Sequence, residues 1–135
     1  PRIDPEHQGG RAIAGRREEV FSVWKASIQQ IAKCENVVVK LGGLAMCLLG
    51  YDFHLRPKPP SSEEAAAAWR PYIEACIEAF GPNRCMFESN FPVDRWGADY
   101  PTLWNAFKRI TAGASASEKA ALYAGSATKF YRLEI

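Results

Sequence analysis

Two short apolar runs constrain the fold of this chain more than any other feature. The first occupies positions 36–41, consists of Asn-Val-Val-Val-Lys-Leu, and is followed by Gly42 and Gly43. A β-branched run bounded by asparagine and a glycine pair is typical of a strand that is buried on both faces. The second run, at positions 84–89, is Arg-Cys-Met-Phe-Glu-Ser, and it is followed by Asn90. We therefore expect two strands.

Helical patterns separate and follow these runs. Apolar residues at spacings of three and four, capping residues and Gly or Pro stops predict helices at about 18–33, 62–80, 101–110, 115–125 and 127–133. Ser61 or Ser62 can cap the second helix, and Pro71 is expected to kink or restart it. Ser115 and Glu118 have the spacing of a capping box. Alternating strands and helices predict parallel pairing with the helices outside.

The number of strands is itself informative. Two parallel strands cannot close a sheet, and their outer edges stay exposed. The sequence therefore predicts an α/β arrangement that is completed by a further part.

Composition excludes two classes of partner. The chain is 47% hydrophobic and 24% charged, with a net charge of +2, which is the balance of an ordinary globular domain. No stripe of Lys and Arg alternates with aromatic residues, so we expect no nucleic-acid partner. No apolar run approaches the ~20 residues that cross a bilayer, so we expect no membrane partner.

The cysteines do not form a recognisable motif. Cys34, Cys47, Cys76 and Cys85 include no C-x-x-C pair and have no histidine at zinc-finger spacing. We expect free, mostly buried thiols in a reducing cytoplasm. A disulfide or a zinc site is the alternative.

Three stretches resemble the amidohydrolase-2 family, a group of TIM-barrel hydrolases and decarboxylases that includes lactonases. Residues 36–44 resemble the family's penultimate barrel strand, residues 80–93 its final strand, and residues 124–133 its closing helix. The resemblance covers roughly residues 16–133. The second stretch is the most specific, and the order and spacing of all three strengthen the match.

The resemblance implies the architecture. The fold class is α/β, and the chain is the C-terminal portion, about the last two or three βα units, of a (β/α)8 TIM barrel. Residues 1–17 are expected to be an N-terminal loop that includes the remnant of the preceding strand end. Residues 18–135 are expected to be the C-terminal βα units and closing helices. A complete barrel needs about 250 residues, so most of the site would lie upstream.

Asn90 departs from the family pattern. The final strand of the family ends in Ser-Asp-x-Pro, and that Asp is the general base and often a metal ligand; Asn90 occupies its position here. An amide can accept a hydrogen bond but cannot take up a proton near neutral pH. Either the chemistry differs, another group is the base, or catalysis is lost. An asparagine before Phe-Pro is also a common turn residue.

Glu88 and Asp94 are the carboxylates nearest to Asn90. Glu88 lies two residues before it and therefore on the same side of the strand. A carboxylate inside a barrel costs several kcal/mol unless it is paired, so we expect an ion pair with Lys40; the alternative is a solvated Glu88 at a fraying strand end. Asp94 could replace the missing base; the alternative is a solvated turn Asp that pairs with Arg95 or a backbone N–H.

Three further residues are candidates for metal or substrate binding. His7 could match a family histidine near the metal or substrate, and the alternative is a histidine of a disordered N-terminus. The resemblance implies a divalent metal, Zn or Mn, in the parent enzyme, although Asn90 argues against one here. His54 and Arg56 lie in the long loop 44–64 over the expected mouth and could contact substrate; a surface loop is the alternative.

These observations lead to one expected function and one alternative. The resemblance implies a hydrolase that acts on a small lactone or amide by water attack, with this chain supplying part of the site. The alternative is an inactive remnant or fragment that acts by association. Besides the small-molecule substrate, the expected partner is the upstream barrel half or a second copy of the chain, and the expected location is cytoplasmic.

Overall fold

The computed structural model describes residues 15–134, in which helices pack on a two-stranded parallel sheet. The strands are β1 (Val39–Leu41) and β2 (Cys85–Phe87). The helices are α1 (Arg17–Ile31), α2 (Ser62–Phe80), α3 (Tyr100–Ile110), α4 (Ala116–Ala120) and α5 (Ser126–Tyr131). The order of strands and helices agrees with the sequence patterns.

The two strands pair in parallel, as predicted. Val39 lies opposite Cys85, and Leu41 lies opposite Phe87. All of β2 is buried, but Lys40 is exposed and Val39 is only half-buried. The predicted burial of the first strand on both faces is therefore wrong, because the Lys40 side chain is exposed.

The covered face of the sheet packs against α2 and α3. The Cys85 sulfur lies 3.7 Å from the carbonyl oxygen of Cys76 in α2. The Phe87 ring stacks on Phe107 of α3 with 4.5 Å between ring centroids. Because strand side chains alternate, Lys40 of β1 lies on the opposite face.

The core lies between α2, α3, the C-terminal helical residues 121–125 and the covered face of the sheet. Its largest fully buried apolar side chains are those of Trp69, Phe107, Ile73, Leu103 and Leu122. Burying a side chain of this size stabilises the fold by about 1.5–3 kcal/mol. The strand ends are thus held on a packed scaffold.

Helix α2 shows where local signals succeed and fail. It begins at the predicted cap, where the Ser61 side chain accepts from the Glu64 N–H and the Glu64 carboxylate accepts from the Ser61 N–H. It continues through Pro71 without interruption, so the predicted restart is wrong. Proline removes a donor for the carbonyl of Ala67, and Ala67 is exposed, so water can reach that carbonyl.

The two predicted C-terminal helices form one continuous helical stretch. The Ser115–Glu118 capping box starts α4, and a π-helical segment, Ala121–Gly125, joins α4 to α5. The expected break near Gly125 is absent because Gly125 keeps a right-handed helical conformation. Every helix within residues 15–134 is too short or too polar to cross a membrane.

All four cysteines are free thiols. Cys76 and Cys85 are buried, Cys47 is partly buried and Cys34 is exposed. The prediction of free thiols is confirmed. The prediction that most of them are buried is wrong, because only Cys76 and Cys85 are.

Candidate functional site

The carboxyl ends of β1 and β2 lie side by side because the strands are parallel. The Glu88 N–H donates to the Leu41 carbonyl at 3.3 Å, which extends the pairing by one residue. Gly42 follows Leu41, and a Cβ on Gly42 would lie 2.7 Å from the Glu88 carbonyl oxygen and would overlap the Glu88 side chain. Glycine at position 42 therefore allows the two strand ends to approach this closely.

Lys40 and Glu88 form the predicted ion pair at these strand ends. The Lys40 ammonium contacts a carboxylate oxygen of Glu88 across the sheet. The hydrogen bond to Glu88 raises the pKa of Lys40. The side chains keep 50% and 25% of their surface exposed, respectively, so the pair remains accessible to a small molecule. A solvated, unpaired Glu88, the alternative, is excluded.

Asn90 occupies a constrained position at the end of the second strand. Its φ of 50° places it in the left-handed region, which asparagine adopts more readily than most residues. Its side-chain amide donates a 2.7 Å hydrogen bond from Nδ2 to Oδ1 of Asp94. Gly43 faces the same amide, because a Cβ added there would lie 3.6 Å from Nδ2.

Asp94 is fully buried and joins the two loops that follow the strands. Besides accepting from Asn90, its carboxylate accepts a 3.3 Å hydrogen bond through Oδ2 from the backbone N–H of Ala45. Burial raises the pKa of this carboxyl, and both hydrogen bonds oppose that rise. The predicted alternative of a solvated turn Asp is wrong in its solvation, although the expected bond to a backbone N–H is present.

A second close approach holds the same two loops together. Asp94 lies in the 3-10 turn Val93–Trp96, and Gly97 follows that turn. A Cβ on Gly97 would overlap the carbonyl oxygen of Ala45. The loops after β1 and β2 therefore meet at Ala45 through both a hydrogen bond and a glycine contact.

His54 and Arg56 lie away from this cluster of hydrogen bonds. His54 is exposed in the 3-10 turn Phe53–Leu55. The Arg56 guanidinium pairs with Glu64 at 3.0 Å and lies 5.8 Å from the Phe53 ring centroid. Among the hydrogen bonds of residues 15–134, none joins His54 or Arg56 to Glu88 or Asn90, and their substrate-binding role stays a prediction.

Arg17 was not singled out from the sequence. It donates hydrogen bonds of 3.2 and 2.7 Å to the carbonyls of Leu49 and Gly50, and its guanidinium lies 4.3 Å from the centroid of the Tyr51 ring. Burial raises the pKa of Tyr51 to about 12. The only sequence signal was the basic residue at the start of a helix, which does not identify carbonyl partners more than 30 positions away.

A cavity of about 360 Å³ lies beside β1. Its walls include all three residues of β1, apolar residues of α1 such as Trp24 and Ile28, and no residue of β2. The cavity is therefore on the side of β1 that faces away from its described partner strand.

The described side chains do not by themselves form a metal centre. Residues 15–134 contain no group of three or more His, Cys, Asp and Glu side chains arranged to hold an ion. Both carboxylate oxygens of Asp94 already accept hydrogen bonds. His7, the metal-binding candidate from the sequence, lies outside the described residues.

Comparison with known sequences gives one family and two relatives. The sequence model of the amidohydrolase family matches residues 6–133. L-fucono-1,5-lactonase of Burkholderia multivorans is 30% identical over 131 residues, which are 95% of this chain and 42% of that protein. The uncharacterized protein y4mH of Sinorhizobium fredii is 41% identical over 113 residues, which are 84% of this chain and 34% of that protein.

Comparison with solved structures agrees. A crystal structure of an amidohydrolase from Burkholderia multivorans with bound zinc has a TM-score of 0.73 over 84% of this chain and 38% of its own. A second, with bound HEPES, has a TM-score of 0.77 over 95% of this chain and 43% of its own, and both are 29% identical. The chain spans less than half the length of each of these relatives. The match over residues 6–133 shows that the chain belongs to the amidohydrolase family.

Proposed function

We propose that the protein containing this chain hydrolyses a small carbonyl compound, a lactone or an amide, by attack of water. In this proposal residues 18–135 are the last βα units and closing helices of a (β/α)8 barrel, and residues 1–17 are the loop that leads into them. The upstream strands supply the rest of the barrel and most of its site.

The observation that carries the proposal is the Lys40–Glu88 pair at the carboxyl ends of two adjacent parallel strands. Active sites of TIM barrels lie at that end of the strands. Lys40 lies on the sheet face opposite Cys85 and Phe87, whose side chains contact α2 and α3, and this face is the interior of a barrel. An accessible cation and carboxylate at this place can act on a polar substrate.

Each of these groups has a role in the hydrolysis. The Glu88 carboxylate takes a proton from water, and the water oxygen bonds to the carbonyl carbon. The Lys40 ammonium stabilises the negative charge that develops on the carbonyl oxygen. When the carbonyl group re-forms, the bond to the leaving oxygen or nitrogen breaks, and Glu88 returns the proton to that atom. Asn90 contributes a hydrogen-bond acceptor and no proton transfer.

The relatives suggest which substrate to test first. L-fucono-1,5-lactonase is 30% identical to this chain over 131 residues, so the 1,5-lactone of a sugar acid is the first choice. His54 and Arg56, in the connection between β1 and α2, are the residues proposed to contact the substrate outside the Lys40–Glu88 pair.

The test uses the complete natural polypeptide that contains this chain. Hydrolysis of sugar-acid lactones releases acid, which a pH indicator follows continuously. We expect Glu88→Gln to lower kcat/KM by roughly 10²–10⁴, the range for loss of a general acid–base group. The matched control is Glu78→Gln, which removes the carboxylate of another Lys–Glu pair, Lys25–Glu78, between α1 and α2. Full activity of Glu88→Gln would exclude Glu88 as the base.

A second candidate function is association without catalysis. Within residues 15–134, β1 pairs with β2 alone, and the cavity of about 360 Å³ lies along its other side. An open strand edge readily pairs with another strand. Asn90 also removes the proton acceptor that the family has at this position.

The size of the native protein distinguishes the two candidates. An antibody to this chain detects a polypeptide of about 30 kDa or more if the barrel is complete. A native species of 15.0 kDa that sediments as a dimer supports association. Lactone hydrolysis by the larger species supports the first proposal.

A further inference from the structure

The buried carboxylate of Asp94 accepts hydrogen bonds from two different kinds of donor, a backbone N–H and a side-chain amide. Oδ2 accepts from the backbone N–H of Ala45, in the loop after β1. Oδ1 accepts from the side-chain amide of Asn90, at the end of β2. Asp94 is fully buried, and a buried carboxylate requires partners that donate. The two loops are therefore joined through one side chain.

The chemistry of Asp94 fixes which way the Asn90 amide faces. With Asp94 ionised, its carboxylate only accepts hydrogen bonds, so the group of Asn90 that faces it is the NH2 group, in agreement with the 2.7 Å contact from Nδ2. The amide carbonyl, Oδ1 of Asn90, then points away from Asp94. The opposite orientation would place two acceptor oxygens within about 3 Å in a buried environment, which is unfavourable.

We propose that Asp94 is a positioning residue that orients the Asn90 amide and presents its Oδ1 as a hydrogen-bond acceptor at the carboxyl ends of the strands. The inference deepens the proposed function and rests on it, because the acceptor is assigned to the attacking water or a substrate hydroxyl. Asp94 itself does not contact the substrate. Its burial and its bond to Ala45 hold the acceptor in place.

The same geometry explains why an amide suits position 90. A carboxylate there would lie next to the buried carboxylate of Asp94, at the 2.7 Å that now separates Nδ2 from Oδ1. Like charges at such a distance cannot both stay ionised. An amide at position 90 and a carboxylate at position 94 therefore form a matched pair, and exchanging both residues should preserve the match.

The exchange provides the kinetic test. In Asp94→Asn, the one remaining side-chain oxygen at position 94 accepts from the Ala45 N–H, and the new NH2 group faces Asn90. The Asn90 amide then flips so that its own oxygen accepts from that NH2 group. Its NH2 group, a donor, now faces the site instead of its oxygen. We expect kcat to fall by about tenfold to a hundredfold while KM changes less than about threefold, since the acceptor acts in the transition state. In Asn90→Asp/Asp94→Asn every donor again has an acceptor, and an acceptor oxygen faces the site. We expect this double variant to recover kcat relative to Asp94→Asn with the pH profile of the natural protein, since an aspartate acting as a base at position 90 would add its own titration to that profile.

The control is Asp99→Asn. Asp99 caps α3 by accepting from the Thr102 N–H, and Asn caps about as well as Asp. Melting temperatures of all variants separate lost folding from lost orientation. Unchanged kcat in Asp94→Asn, or a double variant no more active than Asp94→Asn, would overturn the inference.

A second measurement decides the orientation without any activity. With asparagine-selective ¹⁵N labelling of the complete protein, Asn90→Asp identifies the side-chain NH2 signals of Asn90. We expect these hydrogens to exchange with water more slowly than those of the exposed Asn36 and Asn105, and to lose that protection in Asp94→Asn. Exchange as fast as in the exposed amides would overturn the inference. If the Asn90 NH2 hydrogens exchange slowly but the protein hydrolyses none of the substrates, the proposed function is wrong and the orientation of the Asn90 amide is still supported.

Discussion

The guanidinium of Arg84 donates a 3.0 Å hydrogen bond to the carbonyl oxygen of Ala32, 52 residues earlier in the chain. The same group donates to Cys34 at 3.0 Å and to Phe80 at 3.1 Å. Carbonyls at the ends of helices lack partners within the helix. One arginine thus satisfies carbonyls at the ends of α1 and α2 and fixes both helices next to the start of β2.

Replacing Arg84 by lysine tests this bridge. An ammonium group cannot reach several carbonyls in the directions that the planar guanidinium serves. We expect Arg84→Lys to lower the free energy of unfolding by about 3 kcal/mol or more, because two or more hydrogen bonds from a charged group are lost at about 1.5–3 kcal/mol each. Urea denaturation of both proteins measures the difference in the free energy of unfolding. Arg95→Lys, on the exposed surface, is the control and should change stability by less than about 0.5 kcal/mol.

Gly97 tests the close approach between the two strand-end loops. A methyl group at position 97 would overlap the carbonyl oxygen of Ala45, which is backbone and cannot rotate away. We expect Gly97→Ala to destabilise the protein by about 1–3 kcal/mol, the range for overpacking. A Cβ on Gly113 meets nothing within 4 Å, so Gly113→Ala should leave stability unchanged or raise it. Equal melting temperatures for the two variants would contradict the contact.

Features that depend on nearby residues could be predicted from the sequence. The Ser61–Glu64 cap needs only residues three positions apart in the chain. The Lys40–Glu88 pair required one additional assumption, the parallel pairing of two neighbouring strands. That assumption came from the order of elements and is confirmed.

Features that depend on distant residues could not be predicted. Asp94 is buried and accepts a hydrogen bond from the Ala45 N–H, 49 residues earlier, and no local pattern encodes a contact over that separation. The two strands pair over only three residues each, so the strand pattern does not extend to the loops in which these contacts form. The left-handed conformation of Asn90 and the placement of Gly97 against Ala45 likewise arise only when the two loops meet.

The strength of the Lys40–Glu88 pair is the third prediction. Half of the Lys40 side chain is exposed, so solvent screens the attraction. We expect a double-mutant cycle with Lys40→Met and Glu88→Gln to give a coupling of about 0.2–1 kcal/mol, smaller at high salt. The Lys25–Glu78 pair, at 3.6 Å and with a more exposed glutamate, should couple more weakly. A larger coupling for Lys25–Glu78 would contradict the geometry.

Thiol reactivity is the fourth prediction. Burial raises the pKa of Cys76 to about 11 and that of Cys85 to about 12, and only the thiolate is reactive. In the folded protein at pH 8, we expect a disulfide reagent to modify the exposed Cys34 first and Cys47 more slowly. Cys76 and Cys85 should react only after unfolding. Rapid modification of all four thiols under native conditions would show that the core opens.

The same two thiols predict how stability changes in alkaline solution. Because their pKa values are raised in the folded state, the folded protein keeps these protons at a pH where the unfolded chain has lost them. The free energy of unfolding should therefore fall as the pH rises above about 9, by up to about 1.4 kcal/mol per pH unit for each thiol.

Cysteine variants test whether the buried thiols cause this fall in the free energy of unfolding at alkaline pH. Alanine does not titrate. Cys85→Ala should therefore reduce the fall of the free energy of unfolding with rising pH by the part that Cys85 contributes, whatever its effect on stability at pH 7. Cys34→Ser alters an exposed thiol and should leave the slope as it is. If Cys85→Ala keeps the full slope, other groups cause the alkaline loss; Tyr51, whose pKa burial raises to about 12, is the next to replace by phenylalanine.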